Sequence, residues 1–362
     1  MDTTPHIQIA KDLVRAYYND FDGASDSDLV SALSKYVAPD YRWRGVHPFG
    51  EVRGAQGVID EFWLPLRDSF AKLQRRPDVF MAGINDSHLD ESSEGVWVCS
   101  MGHLMGLFDK PWLHIPPTYR MTFHRYAEFH HVIDGHIAES ALFIDIISIM
   151  DQAGVFPLPP QTGAAFVHPG PRTHDGLLFE AQDPLESELT MDLVNEMIAD
   201  LTAHNISSIE TGESYCPPEV LQRTWHDDMI WYGPSGIGAS YTIDRYQHQH
   251  QMPFRLNLTD KIFNGHVARF ADGNYAGFFG WANLTNTPTG GFLGLPGHNA
   301  PADMRVVDVY RRDGDKLAEN WVFIDILYWL EQQGLDVLRR MRQLHNVEGF
   351  ERGTDPGEGL DG

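Results

Sequence analysis

Cysteine and basic side chains are both scarce in this sequence of 362 residues. Cys99 and Cys216 are the only cysteines, one in each half of the chain, which excludes a disulfide framework and favours a reducing compartment. Lys and Arg number 27 against 51 Asp and Glu, giving a formal net charge of −24. Such a charge repels nucleic acid and anionic membrane surfaces, so we expect the partner to be a small molecule or another copy of the chain.

Long apolar runs and phosphate-binding loops are missing as well. No apolar run approaches the roughly 18 residues that a membrane span needs, and the first residues lack the basic and apolar regions of a secretory signal. The glycines of residues 277–297 do not have the spacing of a nucleotide-binding loop. The sequence therefore predicts a cytoplasmic protein with no membrane partner and no nucleotide cofactor.

The sequence does contain a long internal repeat. The stretch "ESALFIDIISIMDQAG", which begins at Glu139, returns as "ENWVFIDILYWLEQQG" at Glu319, 180 positions later. "DLVRAYYND" from Asp12 and "DLVNEMIAD" from Asp192 are separated by the same 180 positions. A period of this length is far longer than that of a solenoid repeat, so it indicates duplication of a whole domain.

The repeat sets the expected domain boundaries. We predict a first domain over residues 1–156 and a second over residues 185–347. Between them, residues 157–184 are rich in Pro and Gly and are predicted to form a linker. Residues 348–362 have almost no apolar side chains to bury, and we expect a disordered tail there.

Each copy has the same predicted order of elements. Two amphipathic helices come first, followed by a broken strand, a third helix and two long hairpins. The second hairpin of the first copy turns at Asp134 and Gly135, and Asp-Gly between apolar runs is a strong hairpin signal. A short helix that stops at Gly154 closes the copy. The fold class predicted is α+β, with helices packed on a curved antiparallel sheet, twice over.

Alternation along the second hairpin places titratable side chains on one face. A two-residue turn at Asp134 and Gly135 would pair His130 with Glu139 and His124 with Asp145. So many titratable groups cannot face a dry core, so we expect this face to line a partly wet pocket suited to acid–base catalysis. A solvated sheet face with incidental pairs is the alternative. The face would contain His124, Tyr126, Glu128, His130, Glu139 and Asp145.

The eighteen histidines raise the question of a metal site. His248 and His250 are two positions apart on a predicted helix, and His130 and His131 are adjacent on a strand, so neither pair would chelate well alone. We therefore predict no metal, although assembly of a site from distant residues stays open. The tryptophans are pocket walls or ordinary core aromatics. Trp43 is favoured for the pocket because His47 is its neighbour in sequence.

Several motifs resemble those of the SnoaL-like polyketide cyclases of the nuclear transport factor two-like superfamily. They are "PPTYR" from Pro116, "DGHIAES" from Asp134, "FIDIISIMDQAGV" from Phe143 and "APDYRW" with "HPFGEVRGAQGV" from Ala38. The resemblance implies a cone-shaped α+β barrel around an apolar pocket, and homodimers that pair through the sheet. Two tandem barrels would then form a pseudo-dimer within one chain, with further homo-oligomers open.

The same resemblance implies a function. Cyclases of this family close a ring by an intramolecular aldol reaction without metal or cofactor, and the motif position of their acid–base Asp is Asp145 here. We therefore expect a cofactor-independent cyclase, lyase or isomerase that acts on a small carbonyl-containing or hydroxylated organic molecule. A non-enzymatic small-molecule-binding protein of the same fold is the alternative. His124, His130 and His47 are the further catalytic candidates, and the expected substrate-binding residues are Trp43, Tyr126, Glu128, Glu139, Arg120 and Trp97.

The second copy differs from the first on the facing strand. Met304, Val306, Asp308 and Tyr310 stand where the first copy has His124, Tyr126, Glu128 and His130. Because both histidines are lost, we expect the first copy to be the catalytic half. The second would be a scaffold or a pocket of different specificity, with Asp325, Glu319, Trp321, Trp231 and Tyr310 as its candidates.

Overall fold

A computed structural model describes residues 4–87, 89, 93–211 and 216–347 of the chain. The predicted tail at residues 348–362 lies outside these ranges. None of the described helices is both long enough and apolar enough to cross a membrane.

The first half of the chain places five helices against one six-stranded sheet. The strand order in the sheet is β2-β1-β6-β5-β4-β3, with β1 parallel to β6 and the other pairs antiparallel. A π-helical turn (Ile59–Trp63) joins the third and fourth helices. The elements are α1 (Thr4–Gly23), α2 (Leu29–Ser34), β1 (Val37–Gly45), β2 (Gly50–Arg53), α3 (Gly54–Val58), α4 (Leu64–Ser69), β3 (Phe70–Ile84), β4 (Val96–Phe108), β5 (Met121–Ile133), β6 (His136–Ile144) and α5 (Ile146–Gln152).

The second half repeats this arrangement with shorter strands. Its six-stranded sheet has the order β8-β7-β15-β14-β11-β10, and β13, β12 and β9 form a separate three-stranded sheet. A π-helical turn again interrupts the third helical stretch, at Gln247–Gln251. The elements are α6 (Pro184–Thr211), α7 (Pro218–Gln222), β7 (Trp225–Tyr232), β8 (Ala239–Tyr241), α8 (Ile243–Tyr246), α9 (Met252–Asn257), β9 (Leu258–Phe263), β10 (Ala268–Asp272), β11 (Tyr275–Phe279), β12 (Leu284–Pro288), β13 (Ala302–Met304), β14 (Val306–Asp313), β15 (Lys316–Ile324), α10 (Ile326–Glu331) and α11 (Val337–His345).

The matching strand orders confirm the predicted α+β class and its duplication. The sheets are curved, but none formed by the described residues closes into a barrel. In the second half, β9 with β10 corresponds to β3, and β11 with β12 corresponds to β4. Each long strand of the first sheet is therefore divided between two sheets in the second half.

A bulge in the second hairpin of each half changes the predicted register. The turn at Asp134 and Gly135 is confirmed, since Ile133 pairs with His136. Ala138 is then an extra residue, because Val132 pairs with Ile137 but His131 pairs with Glu139. The second half has the same shift at Ala318.

The bulge makes the predicted cross-strand pairs wrong. Beyond it, His130 pairs with Ser140 instead of Glu139, and Glu128 pairs with Leu142. A shift of one residue moves a whole set of side chains to the other face of a sheet. Glu139 and Asp145 therefore do not share a face with His124 and His130.

The two six-stranded sheets pack face to face through aromatic side chains. Phe129 and Phe279 have ring centroids 4.9 Å apart, and Trp97 and Phe143 also contact Phe279, at 5.5 and 6.0 Å. All four residues are buried. Buried apolar side chains from both halves form one continuous core, so the duplicated chain is a pseudo-dimer.

The segment that connects the halves runs along both of them. Leu177 forms a β-bridge with Phe80 of the first half, and Ala164 forms one with Ala239 of the second. The Trp321 indole donates a hydrogen bond to the carbonyl of Pro169 at 3.1 Å. Because the backbone polar groups of this Pro- and Gly-rich stretch find partners in both halves, it forms a strap across them.

Candidate functional site

Three of the predicted site residues meet in the interior of the first half, where they form a buried polar network. Tyr18 bridges two of them: its hydroxyl donates to Glu128 Oε2 at 3.0 Å and lies 2.8 Å from His130 Nε2. His130 Nδ1 in turn lies 2.7 Å from the Ser140 hydroxyl. Tyr126, the third predicted residue, is hydrogen-bonded to another serine of the sheet. All the residues of the network are buried and have partners, so this interior is filled by the protein's own side chains.

Arg75 supplies the positive charge of this network. Its guanidinium donates to Glu128 Oε2 at 2.7 Å and lies 3.9 Å from the ring centroid of Tyr18. Burial by itself raises the pKa of Glu128, but the charges of Arg75 and His130 outweigh burial and hold the pKa at about 2. Glu128 is therefore a permanently ionised partner of Arg75 and is poorly suited to accept a proton at neutral pH.

His124 lies apart from this network. Its ring packs edge-on against Phe70 at 4.0 Å and parallel to Trp112 at 6.3 Å. Among the described residues, neither ring nitrogen has a hydrogen-bond partner, and burial lowers the pKa of His124 to about 3. The predicted pairing of His124 with Asp145 for proton transfer is therefore wrong, because the bulge places Asp145 on the opposite face.

Asp145 and Asp325 hold the two halves together. Asp145 caps α5 by accepting from the Ser148 N–H at 3.0 Å, and its other oxygen accepts from the Ser235 N–H of the second half at 2.8 Å. Asp325 caps α10 in the same way, and it accepts from the His47 N–H of the first half at 3.0 Å. These reciprocal contacts, which we call the two clasps, explain why the repeated stretch has an Asp at this position in each copy.

The arginines beside the clasps follow the same symmetry. Arg125 lies 4.0 Å from Asp145, and Arg305 lies 3.4 Å from Asp325. The Arg125 guanidinium also donates to the Tyr232 carbonyl of the second half at 2.8 Å. Both oxygens of each carboxylate thus have partners, one in its own half and one in the other half, which argues for a structural role.

The other predicted residues are distributed over the sheet faces and the surface. Glu139 is ion-paired with Arg42 and Arg44, and Glu319 is ion-paired with Arg311. On the interface side of the sheets, Trp97 stacks on His131 and Trp321 stacks on Tyr232. Arg120 is exposed, His47 is half-buried beside a clasp, and Trp43 is buried among aromatic rings of the first half.

The second half contains a cavity of about 460 Å³ at the position that the Arg75 network occupies in the first half. Helix α6, the helical stretch from α8 to α9, and the concave face of the sheet form its walls, and the cavity is open to solvent on one side. Most of its wall is apolar or aromatic, which is typical of a site for a small organic molecule. Its aromatic residues are Trp225, Trp231, Tyr246, Phe254, Phe263, Phe278 and Tyr310.

Asp308 is the one carboxylate among the described residues that line this cavity. Its Oδ1 accepts hydrogen bonds from the Tyr310 hydroxyl at 3.2 Å and from the Asn320 side-chain amide at 3.3 Å. Within the described residues, Oδ2 has no hydrogen-bond or ion-pair partner. Burial raises the pKa of Asp308 to about 6, although the two hydrogen bonds oppose that shift. A carboxylate with a pKa near neutrality can both accept and release a proton at physiological pH.

Two histidines in the cavity wall are neutral. Burial lowers the pKa of His250 and of His266 to about 3. His250 stacks on Trp231 with ring centroids 3.9 Å apart, and its Nδ1 is buried without a hydrogen-bond partner among the described residues. Because this nitrogen is also shielded from solvent, the stacked ring serves as a flat, neutral part of the cavity wall.

The site in the second half was only partly predicted. Tyr310 and Trp231 were expected in a second pocket and do line the cavity, whereas Asp325, Glu319 and Trp321 lie on the interface side. Asp308 was missed, although it stands 180 positions after Glu128 and is a carboxylate like it. The signal that would have found it is a carboxylate kept on the facing strand of both copies.

The described residues contain no group of three or more His, Cys, Asp or Glu arranged to hold a metal ion. The prediction of a metal-free, cofactor-independent site stays a prediction.

Comparison with known proteins concerns the fold. A candidate SnoaL-like polyketide cyclase from Jannaschia sp. CCS1 is 18% identical, covers 44% of this chain and 99% of its own, and gives a TM-score of 0.32. IdmH, a candidate polyketide cyclase from Streptomyces antibioticus, is 19% identical and covers 40% of this chain and 96% of its own, with a TM-score of 0.29. An NTF2-like protein from Burkholderia xenovorans LB400 is 12% identical, with coverages of 40% and 95% and a TM-score of 0.30.

The likeness is one of fold. These solved structures are proteins of the kind that the sequence motifs resemble, and each covers between 40% and 44% of this chain. No protein-family model matches the sequence, and no curated protein matches it significantly.

Proposed function

We propose that the second half of the chain binds a small organic molecule in its cavity and catalyses a proton transfer on it without a cofactor. Asp308 is the acid–base group in this proposal. The observation that carries it is a carboxylate with a raised pKa, held through one oxygen and presenting the other to an apolar cavity. Perturbed carboxyl groups of this kind are frequent at catalytic sites.

The geometry supports a cyclase, lyase or isomerase type of reaction on a carbonyl-containing or hydroxylated molecule. Tyr310 and Asn320 fix the orientation of Asp308, so Oδ2 is the atom that takes a proton from carbon or oxygen of the substrate. His250, neutral and stacked on Trp231, offers a flat ring against which an apolar part of the substrate can pack.

A generic carbon acid tests this proposal without knowledge of the natural substrate. In 5-nitrobenzisoxazole, a base removes the ring C–H proton while the N–O bond breaks, and the product is a coloured cyanonitrophenolate. We expect the protein to catalyse this elimination, with a rate that rises with pH through an apparent pKa of about 6. Asp308→Asn should lower kcat/KM by about 10²-fold or more, the usual range for loss of a general base.

Asp145→Asn is the matched control, because it makes the same chemical change at a clasp, outside the cavity. It should retain turnover within about threefold of the unmodified protein, judged against the much larger loss in Asp308→Asn. Equal losses in both variants, or loss in Asp145→Asn alone, would return the catalytic role to the residue that the sequence motif indicated.

A non-enzymatic ligand-binding protein is the second candidate, and the largely apolar wall of the cavity favours it. Saturable binding of 5-nitrobenzisoxazole by calorimetry, without turnover at any pH between 5 and 9, would support this function instead.

A further inference from the structure

The two halves place a carboxylate at the same point of the same strand. Glu128 pairs with Leu142 across the hairpin, and Asp308 pairs with Val322, each 180 positions from its counterpart. Both side chains point toward the concave interior of their half. The first half thus shows which side chain lies beside the carboxylate when the interior of this fold is filled by the protein itself.

In the first half, the group that occupies the space beside the carboxylate is a cation surrounded by aromatic rings. The Arg75 guanidinium is ion-paired with Glu128 at 2.7 Å, and it lies 3.9, 5.4 and 5.6 Å from the ring centroids of Tyr18, Tyr126 and Trp63. The side chain of Arg75 is 3% exposed. Aromatic faces attract a desolvated cation, so the rings and Glu128 bind the same group together. Asp22 of α1 is a second ion-pair partner, 3.1 Å from the Arg75 Nε.

Phe263 is the counterpart of Arg75 in the second half. Arg75 pairs with Leu104 beyond a bulge in β3, and Phe263 pairs with Leu284 beyond a bulge at the same point of β9. Lys72 and Asp260, three residues before each, both have a positive φ, which confirms the alignment of the two strands. Phe263 lines the cavity. The second half therefore keeps the carboxylate and lacks the internal cation.

None of the described residues that line the cavity supplies that positive charge, since they include no Lys or Arg. The Lys261 ammonium lies 5.1 Å from the ring centroid of the wall residue Phe254, but it donates to the Leu258 carbonyl and is not among the groups that shift the pKa of Asp308. Arg269 lies close enough to act on His266 and Tyr310, but it is paired with Asp86 and is not among the groups that shift the pKa of Asp308. The remaining titratable groups of the wall are His250 and His266, which are neutral, and Tyr246 and Tyr310, whose pKa values burial raises.

We propose that the cavity takes a small organic cation with an apolar body, such as an ammonium or amidinium compound. Its charged group would occupy the place beside Asp308 that the Arg75 guanidinium occupies beside Glu128. The inference rests on the proposed ligand site and names the class of its ligand. It favours the binding function, because a cation beside Asp308 would lower the pKa of that carboxyl as Arg75 lowers the pKa of Glu128. An ionised carboxylate in an apolar cavity excludes carboxylates and phosphates, because a like charge would face it without a counter-ion.

The test compares two ligands of nearly the same shape. The cation 4-(trimethylammonio)phenol and its neutral isostere 4-tert-butylphenol are titrated into the full-length protein by calorimetry at pH 7. We expect the cation to bind at least about tenfold more tightly, as an ion pair and cation–π contacts in a desolvated site provide. The preference should disappear in Asp308→Asn and should shrink between pH 7 and pH 5, as Asp308 takes up a proton.

Variants at Phe263 test the comparison between the halves. Phe263→Arg introduces a cation into the cavity wall, at a residue that is 66% exposed, and should abolish binding of the ammonium ligand, whereas the control Phe263→Leu should retain the preference for the cation. Circular dichroism and thermal melting establish that both variants fold. Should Phe263→Arg fail to fold, the isostere comparison in the unmodified protein and in Asp308→Asn decides the matter.

Each result bears separately on this inference and on the proposed catalysis. Equal or tighter binding of 4-tert-butylphenol, or binding of neither ligand, would overturn the inference even where Asp308 still drives elimination of 5-nitrobenzisoxazole. A preference for the cation that depends on Asp308 would support the inference even where no turnover of that probe is seen, in which case the catalytic proposal alone would fall.

Discussion

Asp308 shows how surroundings set the chemistry of one residue. Glu128 has the equivalent position, yet its pKa is held at about 2 by Arg75, whereas burial without a cation raises that of Asp308 to about 6. The two pKa values differ because the neighbouring side chains differ, more than because one residue is Glu and the other Asp. A group that is kept in an unfavourable environment has a cost in stability, and that cost is measurable.

Asp308→Asn should therefore stabilise the protein at pH 7. The pKa of Asp308 is above its ordinary value of 3.8, so folding is penalised as pH rises from about 4 to about 6, and the penalty is complete above that range. We expect a gain of roughly 1–2 kcal/mol in the free energy of unfolding, after allowance for partial solvent access. Thermal melts at pH 7 and pH 4 measure it. A gain that is as large at pH 4 would contradict this explanation.

Tyr310→Phe should shift the pH dependence of the elimination reaction. The Tyr310 hydroxyl donates a hydrogen bond to Asp308 and opposes the rise in its pKa. Removal of this donor should move the midpoint of the kcat/KM profile above pH 6, with the plateau rate largely kept. Tyr246→Phe is the control, because Tyr246 lines the cavity but makes no hydrogen bond to Asp308, and its midpoint should stay in place.

At the scale of elements, the short closing helices connect local folding to the assembly of the halves. Asp145 and Asp325 each cap a helix of their own half and accept a backbone hydrogen bond from the other half. The same residue thus ends a strand, begins a helix and fixes an interface. We expect such a residue to stabilise the protein in two ways, through the helix cap and through the hydrogen bond to the other half.

Asp145→Ala and Asp325→Ala should destabilise the protein by similar amounts, about 2–3 kcal/mol each. Loss of a helix cap costs about 1 kcal/mol, and loss of a buried hydrogen bond to a charged group adds a comparable amount or more. Asp336→Ala is the control, because Asp336 caps α11 without a contact to the first half, and it should cost only about 1 kcal/mol. Urea unfolding of the three variants measures the difference, and equal losses in all three would mean that the clasps add nothing to the caps.

The hairpins also show which parts of the fold the sequence reveals. The repeat, the order of elements and the turn at Asp134 and Gly135 are encoded by local patterns and were predicted correctly. The bulge at Ala138 has no such pattern, because any residue can be the extra one, and it reversed the predicted faces beyond it. Asp145 was therefore assigned to a pocket when it lies at an interface.

The location of the cavity could not be predicted from the sequence, for a different reason. In β4 of the first half, three residues separate Ser100 from Leu104. In the second half, five residues separate their counterparts, Phe278 and Leu284. The two extra residues interrupt the strand and leave β12 in a separate sheet. Whether such an insertion opens a cavity depends on packing across distant elements, which a single sequence does not display.

At the scale of the whole molecule, a buried ion pair joins the halves. Lys11 of α1 lies 2.6 Å from Asp272 at the end of β10, and the Lys11 side chain is 0% exposed. Asp272 also accepts a hydrogen bond from the Ala82 N–H at 3.0 Å. Removal of one partner of such a pair leaves an uncompensated buried charge.

Lys11→Met should therefore destabilise the whole protein by roughly 3–5 kcal/mol. The double variant Lys11→Met/Asp272→Asn should recover most of that loss, because it removes both charges and keeps an acceptor for the Ala82 N–H. Chemical unfolding followed by tryptophan fluorescence measures both variants. A double variant as unstable as the single one would mean that the pair contributes through shape and not through charge.

Fusion of the two copies into one chain has a consequence for how the protein can change over time. In a dimer of identical subunits, every substitution appears twice, so a mutation that enlarges the pocket of one subunit also enlarges that of the other. In the fused chain, each member of a corresponding pair of positions is inherited on its own. Arg75 and Phe263 are such a pair: one copy has a buried cation beside its carboxylate, and the other has a space that another molecule can enter.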